Sequence, residues 1–150
     1  MYISEKYNVK CLPIKGDVSV PSVPNYAIKK MKKQFSRLDI LINNSGGPPL
    51  GSFTNFNDNN WDQAINLNLM SVIRFTKLAY PLMKENNFGR IINILSLLAK
   101  EPSALMVLSA TARAGVIAYT KSVSYEMAPY GITINSICPG GVLTNRFQNL

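Results

Sequence analysis

The 150-residue chain contains no histidine. That removes Ser-His-Asp and Cys-His catalysis, along with every histidine-bearing metal site. Cysteine is nearly absent too: Cys11 and Cys138 are the only two. A disulfide scaffold needs more cysteines and a secreted setting, so both read as free, buried thiols in apolar stretches. Acidic residues number 8 against 16 basic ones, and they form no cluster. No carboxylate metal site is therefore expected, and none of any kind. No apolar run approaches the ~18 residues a membrane span needs; the longest, residues 91–99, is interrupted by Asn93 and Ser96. Residues 1–10 mix charges and tyrosines and contain no signal-peptide core. A soluble cytoplasmic protein is expected, with no membrane partner. Phosphate-binding loops are lacking as well. No Gly-x-Gly-x-x-Gly occurs, and residues 46–51 lack the lysine of a P-loop.

What is present suits one domain over residues 1–150. Hydrophobic residues make up 47%, enough for a core and too many for a disordered chain. The net charge of +8 raises nucleic acid as a partner. However, the densest basic stretch (Lys29, Lys30, Lys32, Lys33, Arg37) alternates with Val23, Ala27, Ile28, Met31 and Phe35 at helical spacing. A helix with one apolar face and one solvated lysine face accounts for it, so nucleic acid is not the expected partner.

Short apolar runs alternate with longer amphipathic ones. Residues 9–14 read as a strand and residues 22–35 as a helix. Residues 38–43 (LDILIN) lack polar alternation, as in a strand buried on both faces. The run breaks at Asn44-Ser45-Gly46-Gly47-Pro48-Pro49. A second helix is expected over 58–83, with Pro81 an objection near its end. Residues 89–94 (GRIINI) read as another buried strand. A helix over 105–128 follows, stopped by Gly131, and residues 133–137 form the last strand before Pro139-Gly140-Gly141. This alternation implies parallel strands joined by right-handed helical crossovers. Ligands then bind beyond the carboxyl ends of the strands.

Those ends carry small polar residues. Asp17-Val18 follows the first strand: an ordinary turn, or an acceptor for an adenine amino group. Asn44-Ser45-Gly46 follows the second: again a turn, or backbone that a ligand approaches closely. Asn68 sits inside the second helix, at a cost in helix propensity that invites a reason. Ser96 is the first hydroxyl after the third strand. Pro139, Gly140 and Thr144 follow the fourth.

Together, in order and spacing, these pieces resemble the short-chain dehydrogenase/reductase family over about residues 9–146. Residues 38–46 (LDILINNSG) are similar to its Asn-Asn-Ala-Gly motif, with Ser45 in place of Ala. Residues 89–96 (GRIINILS) resemble the strand leading to its catalytic Ser, and residues 135–144 (NSICPGGVLT) its Pro-Gly loop. The Gly46-Gly47-Pro48-Pro49 insertion and residues 113–115 (RAG) look like a divergent branch near the 3-oxoacyl-[acyl-carrier-protein] reductases. The resemblance implies a partial Rossmann-like, doubly wound parallel α/β sheet comprising strands 3 to 6 of the family fold, without its first βαβ unit. It implies NAD or NADP as cofactor, a small carbonyl or alcohol substrate, and a homo-oligomer in the full-length family. It assigns Asn68, Ser96, Ser109 and Arg113 to the catalytic positions. It assigns Asp17, Val18, Asn44, Ser45, Gly46, Arg113, Pro139, Gly140 and Thr144 to the cofactor.

Two departures stand out. The family's acid/base Tyr falls at Ser109, and its Lys, four residues on, at Arg113. A serine hydroxyl is a far weaker acid than a phenol of pKa ~10 and needs an adjacent base; a guanidinium stays protonated and relays nothing. The Tyr-x-x-x-Lys matches elsewhere (Tyr2/Lys6, Tyr26/Lys30, Tyr80/Lys84) read as structural. Tyr119 and Tyr125 read as core packing. The glycine-rich turn that binds pyrophosphate at a helix N-terminus is also without a match, so a truncated chain is expected. Two functions remain: an NAD(P)-dependent oxidoreductase of this family, or a non-catalytic remnant or binding module of the same fold. For the fold, residues 9–14 are expected either to pair beside residues 38–43 or to leave an apolar edge that favours oligomers or aggregation.

Overall fold

The computed structural model describes residues 2–143. Its elements are α1 (Tyr2–Tyr7), α2 (Val23–Gln34), β1 (Ile40–Asn43), α3 (Asp58–Ile65), α4 (Ser71–Glu85), β2 (Gly89–Ile94), α5 (Val107–Met127) and β3 (Ile132–Ile137). The strands form one sheet in the order β1-β2-β3. Both pairings are parallel; Leu41 lies opposite Ile91, and Ile91 opposite Ile134. This is the expected α/β architecture of a partial Rossmann-like sheet.

Local chemistry explains the element ends. Pro24 stands in the first turn of α2, where its missing N–H costs nothing. Asn57 caps α3 by accepting from the Asn60 backbone N–H at 3.1 Å, and the Asn60 side chain returns the bond to Asn57 N–H at 3.0 Å. This is a reciprocal capping box built from two asparagines. Gly131 joins α5 to β3 at φ +66, and a Cβ there would lie 2.6 Å from the Asn87 carbonyl oxygen. Only glycine fits that turn.

The strands bury alternate residues. Leu41, Ile91 and Ile134 face α4 and α5 and join Ala79, Met83, Met127 and Ile132 in the main core cluster. Val72, Leu95 and Val116 form a second cluster nearer the strand ends, with Cys138 packed against it. On the opposite face Ile40 is 56% exposed, Ile42 60% and Ile137 50%. No helix among the described residues is long and apolar enough to cross a membrane.

Several expectations need correction. Residues 9–14 form no strand and pair with nothing in the sheet. A strand forms only where a neighbour completes its backbone hydrogen bonds, and β1 pairs with β2 alone. Residues 38–43 accordingly contribute an edge strand with one exposed face, not a central strand buried on both. The helix expected over 58–83 is three segments: α3, a π-helical turn at Asn66–Met70, and α4. Pro81 lies inside α4 without ending it. Tyr125 is 69% exposed on the outer side of α5, whereas Tyr119 packs against the second cluster. Both cysteines are free, as expected, but only half-buried. Thr144 and Arg146 lie outside the described residues.

Candidate active site

The three strand ends and the start of α5 enclose a cleft of about 530 Å³. Eight of the residues singled out in the sequence line it: Asn44, Ser45, Gly46, Ser96, Ser109, Arg113, Pro139 and Gly140. The fold brings them together because parallel strands end at the same edge of the sheet. The two loops after β2 and β3 are also stitched to each other. Leu95 N–H donates to the Ile137 carbonyl and Leu97 N–H to that of Pro139, both at 2.8 Å. The rest of the lining is apolar, including Pro48, Leu95, Leu97, Leu98, Met106 and Val142. Sequence reasoning missed these, although Leu95, Leu97 and Leu98 flank Ser96 and could have been found by adjacency alone.

Asn68 stands behind the cleft, on the π-helical turn. Opening the helix by one residue there leaves Ser71 N–H bonded to the Asn66 carbonyl, a device that recurs at functional positions. Asn68 is 2% exposed. Its Nδ2 donates to the Gly46 carbonyl at 2.7 Å and to Ser45 Oγ at 3.0 Å. That is the reason a mid-helix asparagine is kept: it fastens the β1 loop to the helix. The short contact to a carbonyl also fixes the amide orientation, since the reverse would place two oxygens together. Asn68 Oδ1 is buried without a hydrogen-bond partner among the described residues.

Arg113 reaches into the same corner and is 7% exposed. Its Nε donates to Ser109 Oγ at 3.1 Å, Nη1 to the Leu95 carbonyl at 3.0 Å, and Nη2 to the Gly46 carbonyl at 3.3 Å. Ser109, one turn earlier on α5, is 7% exposed. Ser96 Oγ accepts from Leu98 N–H at 3.3 Å. Among the described residues lining the cleft, Arg113 is the only ionisable side chain. The described lining thus offers hydroxyl donors and one fixed cation, and no group among these residues exchanges a proton near neutral pH.

Two expected ligand contacts lie apart from the cleft. Val18 lines a smaller pocket of about 150 Å³ beside Asn44, Asn68 and Phe75. Asp17 is exposed and lines neither. Its Oδ1 accepts from Ser19 N–H at 2.9 Å and from Ser19 Oγ at 2.8 Å. These two bonds hold its carboxyl below the usual range. The Tyr-x-x-x-Lys pairs described by the structure are ordinary surface contacts: Lys30 lies 5.5 Å from the Tyr26 ring and Lys84 5.7 Å from that of Tyr80. No Tyr or Lys lines the cleft among the described residues.

The parallel α/β sheet, the helix-borne asparagine fastening the first loop and the serine at the next strand end fit a short-chain dehydrogenase, whereas Ser109 and Arg113 stand where that family has its Tyr and Lys. Residues 2–150 match the family described as short chain dehydrogenase, and the chain belongs to it. It is 37% identical over 133 residues to the NADPH-dependent reductase BacG of Bacillus subtilis, covering 89% of this chain and 51% of that one. It is 33% identical over 141 residues to a 3-oxoacyl-[acyl-carrier-protein] reductase of Synechocystis, covering 94% and 57%. The crystal structure of YwfH, an NADPH-dependent reductase involved in bacilysin biosynthesis, superposes with a TM-score of 0.94 at 34% identity. That superposition covers 99% of this chain and 59% of YwfH. The chain therefore spans about half the length of the curated relatives it matches.

Proposed function

We propose that these residues form the nicotinamide and substrate end of an NAD(P)-dependent oxidoreductase site, acting on a small carbonyl or alcohol of the 3-oxoacyl type. The observation that carries this reading is the pair of glycines at the cleft. A Cβ at Gly46 or Gly140 would meet nothing within 4 Å, and neither has a positive φ. Neither packing nor backbone conformation demands glycine there. A ligand lying against the bare backbone would give both glycines a reason. The apolar lining beside Ser96 suits an acyl chain. A cytoplasmic setting and a homo-oligomer belong to the same reading, and so does Asp17 at the adenine end.

When bound, the cofactor would supply or accept a hydride. The residues here bind and orient: Gly46, Pro139 and Gly140 give the flat backbone wall, Ser96 offers a hydroxyl to the substrate oxygen, and Arg113 holds the corner. Proton delivery is the weak step. Ser109 Oγ already accepts from a guanidinium that cannot be regenerated as a base. That specific feature favours a second reading, a ligand-holding module of the same fold without turnover.

Nuclear magnetic resonance separates the possibilities. With millimolar NADPH, amide shifts confined to Gly46, Ser96 and Gly140 are expected; their absence would defeat the cofactor reading. By calorimetry the 150-residue polypeptide should bind NADPH more weakly than micromolar, because no glycine-rich pyrophosphate turn occurs among its residues. It should also consume no NADPH with a 3-oxoacyl thioester. Measurable turnover would exclude the module.

A further inference from the structure

We infer that Arg113 is a positioning residue: its guanidinium clamps the β1 loop and the β2 loop to α5, and it does not contact ligand. This assignment goes beyond the functional proposal and does not depend on it. Two loops far from it in sequence, and a residue one turn earlier on its own helix, converge on one side chain. Gly46 belongs to the loop after β1, Leu95 to the loop after β2, and Ser109 to the first turn of α5. Each gives Arg113 an oxygen at 3.0–3.3 Å, through three different nitrogens. A planar fork with donors pointing in several fixed directions can span such a set, whereas an ammonium is a point charge on a flexible stem. Hydrogen bonds from an ionised donor are also about twice as strong as neutral ones.

The convergence at Gly46 strengthens the case. Its carbonyl accepts from Asn68 Nδ2 as well as from Arg113. The β1 loop is thus held from the π-helical turn on one side and from α5 on the other. With 7% of its surface exposed, Arg113 is packed as a structural strut is packed. At the position where a proton relay would stand, this chain has a fastening. Its cleft is held in shape before any ligand arrives, which lowers the ordering cost of binding.

Native-state hydrogen exchange tests this on the 150-residue polypeptide. The Leu95 and Leu97 amides, bonded to the Ile137 and Pro139 carbonyls, report on the β2 loop. The Gly51 amide, bonded to the Leu105 carbonyl at 3.0 Å, reports on the far end of the β1 excursion. The Ile91 and Ile134 amides report on the core. In Arg113→Gln, Leu95 and Leu97 should exchange at least about tenfold faster relative to the core amides. Arg113→Lys, which can reach one or two of the acceptors, should fall between Gln and the parent. Ser109→Ala, which removes one acceptor and keeps the carbonyls of Gly46, Leu95 and, at 3.5 Å, Ile94, should change least. If Arg113→Gln does not fold, the Lys variant carries the same comparison. Unchanged relative exchange at Leu95 and Leu97, or a uniform acceleration that includes Ile91 and Ile134, would overturn the clamp. So would saturable shifts of the Arg113 guanidinium resonances on adding NADPH, because they would place it against ligand.

Discussion

The two faces of the sheet both carry isoleucines, with opposite fates. On one, Leu41, Ile91 and Ile134 are covered by α4 and α5, with Ile91 fully buried. On the other, Ile40, Ile42 and Ile137 are each at least half exposed, although they sit on two of the same strands, β1 and β3. Isoleucine content alone therefore does not say which side of a strand is core. Coverage does, and coverage is a property of the helices. The polar side chains separate the same way. A buried chain of bonds crosses the covered face: Asn43 Nδ2 donates to Asn93 Oδ1 at 2.8 Å, and Asn93 Nδ2 donates to Thr120 Oγ1 at 3.0 Å. Thr120 and Ser136 hydroxyls then meet at 3.2 Å. Asn93 is fully buried with both ends used, as an interior amide must be.

The largest expected effect comes from cutting the covered face. Ile91→Ala leaves a cavity among Met83, Met127 and Ile134 and should cost about 2–5 kcal/mol. Ile42→Ala, one strand over on the open face, should cost less than about 1 kcal/mol. Denaturant unfolding of the two variants measures the contrast. Equal losses would mean that the open face is covered in solution, for example by self-association, which light scattering would register at the same time.

A middle-sized effect is expected from the polar chain. Asn93→Leu leaves Asn43 without its acceptor and Thr120 without its donor, a penalty of about 1–3 kcal/mol for buried unsatisfied groups. Asn135→Leu, whose residue lies exposed on the opposite face of β3, should be near neutral. A comparable loss in the two variants would remove the distinction between the faces for polar residues. A third outcome concerns chemistry. Restoring a phenol and an ammonium by Ser109→Tyr with Arg113→Lys should not raise stability, since it breaks the clamp. If it confers NADPH-dependent carbonyl reduction where the parent has none, the proton-delivering pair alone was lacking.

These contrasts also explain what the sequence could reveal. The β2 boundaries were legible because GRIINI opens on a glycine, is followed within two residues by Ser96, and has no competing helical period. The cleft was legible because small polar residues recur at each strand end in order. Residues 9–14 were misread because Val9, Cys11, Leu12 and Ile14 look like strand residues, whereas Pro13 cannot donate to a ladder and no neighbour is there to pair with them. The break at Asn66–Met70 was invisible because a π-helical turn keeps helical composition and shifts the phase by only one residue. The clamp was equally hidden: spacing placed Arg113 four residues after Ser109, but only the fold brings Gly46 and Leu95 to it.

The smallest expected effect lies on the exposed rim, where Asp17 has no burial to amplify it. Its carboxyl is held below the ordinary carboxylate range, first by Ser19 N–H and then by the Ser19 hydroxyl. Folding therefore favours the ionised form. The stabilisation is present above the unfolded-state pKa and is lost as pH falls through the lower folded-state value. Ser19→Ala removes the hydroxyl donor and keeps the backbone one. The Asp17 titration should move up part of the way toward the ordinary value, with a further rise only if the turn itself opens. Because the group is fully exposed, solvent screens the interaction and the melting temperature should not change measurably. The side-chain carboxyl resonance followed by NMR across the acid range measures the shift. An unmoved titration in Ser19→Ala would mean that the hydroxyl bond is not held in solution, leaving the Ser19 N–H as the donor that fixes Asp17.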